Sequence, residues 1–321
     1  MGNAAEMPRV AVACAGVIGR AWIKVFARAG CRVAVYDANP AQAAGALEWL
    51  RGDVDNDVRL GLIDRAAADA QLARVSIQPP ERAFDGVAYV QESGPENVEA
   101  KRGIVGLIDR LSPAEAIIGS STSAIDVNDF AEGLPGAGRV LTVHPIAPPS
   151  LNPAVEVYPS RAMAPATLER ALDFLRRVGM APVLMQRFVY GYIAARLQAA
   201  LMREAINLVD RGYATLDGID TMVREGLGQR WAFLGPFGVN HLNADGGMGE
   251  YYAKYAETYR ELMATLFDEG PAFDAAMAER FGGAAAETFG TDVQGLRRWR
   301  DEQMKLLRAN KERLPMPTPK E

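Results

Sequence analysis

The chain has 321 residues, 49% of them hydrophobic and 23% charged, with a formal net charge of −5. That is enough for one large domain or two ordinary ones with real cores. It lacks the basic excess of a nucleic-acid-binding surface, and no apolar stretch is long enough to span a bilayer. The two cysteines, Cys14 and Cys31, are too few for a disulfide framework and read as reduced thiols of a cytoplasmic protein. Residues Met1 to Glu6 show no basic-then-apolar leader, and no metal-ligand cluster is read in the sequence.

The first forty residues carry the strongest pattern. Val10-Ala11-Val12 reads as a short buried strand. The turn Cys14-Ala15-Gly16-Val17-Ile18-Gly19 follows, and Val17, Ile18, Ala21, Trp22, Val25 and Phe26 fall on one helical face. Gly30 ends that helix, and Cys31 to Tyr36 form a second strand that runs into Asp37. Strand, glycine turn, helix, strand and acid make the dinucleotide-binding layout. Gly16 lets a pyrophosphate approach the backbone, Gly19 lets the helix pack on the strand, and the first helical N–H groups of Val17 and Ile18 face the phosphates. Asp37 accepts from the ribose hydroxyls and repels a 2′-phosphate, which favours NAD over NADP. The pattern departs from G-x-G-x-x-G at its first position, Cys14, where a side chain crowds the turn. The residues alone also admit a plain strand–helix connection.

Further along, residues 40–72 read as helical and Val75 to Ile77 as a short strand. Gly86 to Gln91 is a better strand, and Val98 to Leu111 is a helix. Strands follow at Ala116–Gly119, Arg139–Val143 and Val155–Tyr158. A helix spans Pro165–Val178, and a last strand spans Pro182–Met185. This alternation predicts an α/β fold, a Rossmann-type doubly wound sheet that is mostly parallel. From about Gly191 the pattern is all-helical. It begins with an apolar stripe, Ile193, Leu197, Ala200, Leu201, Ala205 and Leu208, and has later helices near 249–267 and 294–312. Leu314 to Pro319 reads as loop. The expected division is a dinucleotide-binding domain over 1–190 and a helical domain over 191–321, which serves substrate binding and homodimer formation.

Ligands of such sheets bind at the carboxyl ends of the strands. Three polar groups are expected there: the Glu92–Glu96 turn, the Ser120–Ser123 cluster and His144. A histidine that titrates near neutrality suits proton removal from an alcohol. Glu156 can hold the imidazole, and Ser123 can hydrogen-bond a substrate hydroxyl. Taken alone, His144 reads more readily as a structural histidine before Pro145, and the serines are also compatible with a helix cap.

Several stretches resemble the 3-hydroxyacyl-CoA dehydrogenase superfamily, and within it the lambda-crystallin or L-gulonate 3-dehydrogenase branch. They are Gly16 to Trp22, Ser120 to Ser123, His144-Pro145 with Pro148-Pro149, and Val155-Glu156-Val157. Those nearest to the branch are Glu225-Gly226-Leu227-Gly228, Arg230, Ala232-Phe233, Gly235-Pro236 and His241-Leu242-Asn243-Ala244. The resemblance implies that His144 is the catalytic base, Glu156 its partner and Ser123 a substrate contact. It implies that Glu96 and Lys101 lie near the nicotinamide and its ribose. The implied reaction is NAD-dependent oxidation of a small 3-hydroxy acid to the 3-keto acid. A free acid needs a cation for its carboxylate, and Arg230 is the candidate, although a surface or capping arginine would look the same in sequence. Two family asparagines are replaced, by Ala147 and Ala195. A 3-hydroxyacyl-CoA dehydrogenase and a catalytically impaired, crystallin-like binding protein are the alternatives.

Overall fold

The computed structural model describes residues 7–313 apart from 269 and 272. The loop expected over Leu314 to Pro319 and the first six residues lie outside the described residues. The chain divides into two units, one ending at Ala194 and one beginning at Ala195.

The first unit is built on strand β1 (Arg9–Ala13), whose apolar run is buried on both faces. Helix α1 (Val17–Arg28) and strand β2 (Arg32–Tyr36) follow at once. The helical stretch after β2 is two helices, α2 (Pro40–Arg59) and α3 (Arg65–Ala73). Asn39 caps α2 through the Ala41 N–H and Asp64 caps α3 through the Ala67 N–H, so the chain restarts after the turn at Gly61, where φ is 69°. Next come β3 (Val75–Ile77), α4 (Pro80–Ala83), β4 (Tyr89–Glu92), α5 (Val98–Leu111), β5 (Ile117–Ser120) and α6 (Val127–Ala131). Strands β6 (Val140–Pro145) and β7 (Ala154–Pro159), helix α7 (Pro165–Arg177) and strand β8 (Ala181–Leu184) complete the unit.

These eight strands form one sheet in the order β3-β2-β1-β4-β5-β6-β7-β8. All neighbours are parallel except β6 and β7. A parallel crossover needs a dozen or more residues. The β6–β7 connection, residues 146–153, is too short for one, so the strands pair antiparallel. One face of the sheet packs Trp22, Phe26, Leu50 and Phe174, and the other packs Phe84, Val105, Ile108 and Phe130. Both faces are therefore covered, as a doubly wound parallel sheet requires.

The second unit is helical and has no strand among the described residues. It runs α8 (Ala194–Asp210), α9 (Leu216–Thr221), a π-helical turn over Met222–Leu227, α10 (Gly228–Trp231), α11 (Pro236–His241), α12 (Gly247–Thr265), α13 (Ala275–Phe289) and α14 (Val293–Arg313). The sequence pattern missed α13, whose alanine-rich surface has little apolar contrast. Among the described residues of this unit only Ile206, Gly247 and Lys305 are buried. The apolar stripe of α8 is largely uncovered by its own unit, with Leu197 62% exposed. No described helix is long and apolar enough to cross a membrane.

Candidate active site

The strand order reverses between β1 and β4, and the crevice at the carboxyl ends of such strands is where ligands settle. Binding clefts are typically about 300–1,000 Å³, and here one of ≈ 720 Å³ lies at this point, lined by Cys14, Gly16, Asp37, Asn39, Ser93 and Gly94 among others. Helix α1 starts at it. Gly16, the N-cap, offers no side-chain cap, and the first turn holds no acid. The free N–H groups and the positive end of the helix dipole thus remain for an anion. A Cβ at Gly16 would meet nothing within 4 Å, while one at Gly19 would lie 1.9 Å from the Cys14 carbonyl oxygen. Gly19 is therefore required for the close approach of α1 to the turn. Val17 is exposed at the first turn, and Ile18 packs partly against the core. Open backbone, an uncapped helix and a flanking acid fit a pyrophosphate and its ribose.

Cys14 has φ 70°, the left-handed region that favours glycine. Its N–H donates to the Tyr36 carbonyl, and Sγ stands 3.3 Å from where a Cβ on Gly94 would be. The side chain thus lines the cavity beside Gly94. Burial, reinforced by the charges of Glu92 and Asp37, pushes the thiol up to about 12, so it stays protonated.

Asp37 ends the second strand. One carboxylate oxygen accepts the Ala15 N–H at 2.7 Å and the other the Asn39 N–H at 2.8 Å. The acid therefore braces the glycine turn. A carboxylate has about four lone-pair sites, which leaves acceptor capacity for ribose hydroxyls.

An ionic cluster joins the ends of β4 and β5, with Lys101 and Glu92 buried and Glu96 at its exposed edge. Lys101 lies 3.2 Å from Glu92 and 3.4 Å from Glu96. Glu92, the first residue of the expected Glu92–Glu96 turn, also accepts from Ser120 and from the Gly94 N–H. Its sequence signal is an acid at the carboxyl end of a parallel strand. Glu96 Oε1 accepts from the Thr122 hydroxyl (2.7 Å), the Ser123 N–H (2.7 Å), the Ser123 hydroxyl (3.2 Å) and the Ala124 N–H (3.0 Å). Partial burial raises the Glu96 carboxyl, but these donors and Lys101 outweigh it and hold it below its ordinary value. Glu96 and Lys101 are thus tied to Ser123, and Ser123 itself is exposed.

His144 and Glu156 are direct partners in the antiparallel β6–β7 register. His144 Nδ1 lies 2.7 Å from Glu156 Oε2. A carboxylate only accepts, so Nδ1 carries a proton, and in the neutral ring the lone pair is on Nε2. Nε2 has no hydrogen-bond partner among the described residues. Glu156 Oε1 accepts the N–H groups of Ile193 and Ala194 at 2.6 and 2.8 Å. Tyr192, absent from the sequence expectations, is fully buried with its ring centroid 5.2 Å from that of His144.

Arg230 lies on α10 in the helical unit, exposed and without an ion pair among the described residues. Ala147 sits in the β6–β7 connection, its peptide bond to Pro148 cis, and Ala195 lies in the first turn of α8. Neither offers a polar side chain.

A dinucleotide cradle at the switch point, with a histidine–carboxylate pair at the strand ends of the same sheet, defines a Rossmann-type oxidoreductase that uses NAD. The chain belongs to the 3-hydroxyacyl-CoA dehydrogenase family. Residues 9–188 match the family's NAD binding domain and residues 191–282 its C-terminal domain. It is 36% identical over 311 residues to the lambda-crystallin homolog of Bos taurus, covering 95% of this chain and 96% of that one. It is also 36% identical over 243 residues to the L-carnitine dehydrogenase of Oceanobacillus iheyensis, covering 76% and 78%. Among solved structures, an FHMPC 5-dehydrogenase described as an NAD+ dependent dismutase superposes with a TM-score of 0.79 at 25% identity, covering 95% of this chain and 99% of that one.

Proposed function

We propose that the chain oxidises a small, free 3-hydroxy acid to the 3-keto acid, with a gulonate-like sugar acid first among the candidates. The observation that carries this reading is the His144–Glu156 pair, with Nε2 aimed away from the carboxylate and unpartnered among the described residues. Nε2 takes the proton of the substrate hydroxyl. Glu156 holds the Nδ1 proton and balances the charge that the ring then gains. Ser123 orients the substrate hydroxyl, and Arg230 serves as the partner for its carboxylate. The bound nicotinamide supplies the hydride acceptor. Glu96 and Lys101, joined to each other beside the Ser93–Pro95 edge of the cleft, are the proposed residues near the nicotinamide and its ribose.

Two observations support a free acid over a CoA thioester. The lambda-crystallin homolog aligns over nearly the whole chain, and L-carnitine dehydrogenase is a further relative. Carnitine is itself a 3-hydroxy acid, so it is the second substrate in rank. The helical unit is proposed to form a homodimer, since its described apolar side chains are largely uncovered and patches of that kind mark association surfaces.

The test is an NADH titration with NADPH beside it, followed by turnover of L-gulonate, L-carnitine, 3-hydroxybutyrate and 3-hydroxybutyryl-CoA. NADH binding with turnover of a free acid is expected. A thioester that beats every free acid in kcat/KM overturns the substrate reading. NADH binding without any turnover favours the crystallin-like alternative, for which the strained Cys14 and the side chains Ala147 and Ala195 are the supporting features.

A further inference from the structure

We infer that Tyr192 is a positioning residue that fixes the Ser123 loop and the His144 imidazole relative to each other; the inference rests on the dehydrogenase reading of this site.

Three observations meet at this side chain. Its hydroxyl donates to the Ile125 carbonyl at 2.9 Å, two residues past Ser123. Its ring lies 5.2 Å, centroid to centroid, from the His144 imidazole at an interplanar angle of 50°, and Phe188 stands edge-on behind it at 5.9 Å. Its backbone is left-handed, φ 49°, directly after Gly191 at 78°. A bulky residue with positive φ is a genuine outlier, and such strain persists only where its surroundings over-determine it.

The strained backbone has a visible consequence. Two successive left-handed residues turn the chain so that the next two N–H groups, of Ile193 and Ala194, converge on Glu156 Oε1. Convergent N–H groups of this kind form an anion-binding concavity. One short segment therefore acts on the base twice. It grips Glu156, which holds Nδ1, and it lays the Tyr192 ring beside the imidazole. Through the phenol it also reaches the loop that carries Ser123. That loop has a second anchor, because Glu96 gathers the Thr122 hydroxyl and the Ser123 and Ala124 N–H groups. Glu96 ties the loop to α5, and Tyr192 ties it to the base.

The phenol is not an acid–base group. Burial pushes it up to about 12, so it remains a donor at working pH. Its contribution is geometric: an ångström of misplacement between the base and the hydroxyl contact lowers the rate without touching the chemistry.

The variants are Tyr192→Phe, which keeps the ring and removes the hydroxyl, and Tyr192→Leu, which removes both. Each is made in the full chain and compared with wild type for NADH affinity, steady-state kinetics with the best 3-hydroxy acid, and amide hydrogen exchange. Y192F is expected to lower kcat/KM about five- to tenfold, mostly in kcat, which matches the loss of one buried hydrogen bond. NADH affinity stays within about twofold because the cofactor cradle is untouched. Exchange rises over residues 120–126 and not over 9–20. Y192L also displaces the pH–rate limb of the base, which Y192F leaves in place. Wild-type kinetics and exchange in Y192F overturn the inference. So does a parallel loss of NADH affinity, which marks a general packing role. If the wild type turns over no 3-hydroxy acid, the dehydrogenase reading fails, and exchange over 120–126 still decides whether the phenol pins the loop.

Discussion

His144 and Glu156 face one another across the antiparallel pair of β6 and β7, with Nδ1 and Oε2 2.7 Å apart and both side chains largely buried. The pair is built from opposed residues of two hydrogen-bonded strands, so its geometry is as rigid as the sheet. Glu156 is further fixed by two backbone N–H groups. The imidazole is therefore oriented by the strand register and by the turn at Tyr192 to Ala194 that grips its carboxylate partner.

Replacing His144 by Asn removes the proton acceptor. A fall in kcat of about 10²–10⁴ is expected, with NADH affinity retained because no cradle residue changes. Glu156→Gln keeps the shape but loses the charge that balances the imidazolium, and a smaller fall of at least about tenfold follows. Steady-state kinetics beside an NADH titration check both. Near-normal turnover in His144→Asn removes His144 from the base role.

Asp37→Ala should weaken NADH by about tenfold, the worth of one or two hydrogen bonds to a charged acceptor, and narrow the gap to NADPH by removing a repulsion. The same change leaves the Ala15 N–H without its acceptor. A fluorescence titration with both cofactors reads the ratio, and an unchanged ratio removes Asp37 from cofactor selection.

Cys14→Gly relieves a left-handed residue and clears the cavity wall beside Gly94. Strain of about 1–3 kcal/mol is released and partly offset by about 0.4–1 kcal/mol of extra unfolded-state entropy. Thermal melting should rise by a few degrees, and NADH should bind more tightly. A lower melting temperature with weaker binding would show that the thiol packs favourably.

The Glu96 clamp should weaken in acid. Its carboxyl lies below its ordinary value, so its contribution is complete above the unfolded value and is lost as pH falls through the folded one. Glu96→Gln has no such dependence at this position. Melting curves of the two proteins from about pH 6 to about pH 3.5 should therefore converge toward the acid end. An advantage of the wild type that stays constant with pH would contradict the clamp.

The local sequence determined the cradle. Gly16, Gly19, the helical face from Val17 to Phe26 and the acid after the second strand are separated by few residues. The geometry of one strand–turn–helix–strand unit is set by backbone conformation and hydrophobic period alone. The same reasoning marked the change from alternating strands and helices to helices only near Gly191. It also placed His144, Glu156 and Ser123 on or after strands, as residue types suited to proton transfer.

Tertiary structure decided how those groups meet. Nothing local states that β6 and β7 run antiparallel. That follows from a connection too short for a crossover, and it alone sets His144 opposite Glu156. Glu92 was legible only as part of a polar turn at a strand end, because its burial is recognisable only once Lys101 and Ser120 are seen to satisfy it. Tyr192 was not legible. Its ring reads as ordinary core, and only the folded chain brings its hydroxyl to Ile125, 67 residues away in sequence. Contacts between distant segments depend on strand order and register, which a one-dimensional pattern of hydrophobicity leaves undetermined.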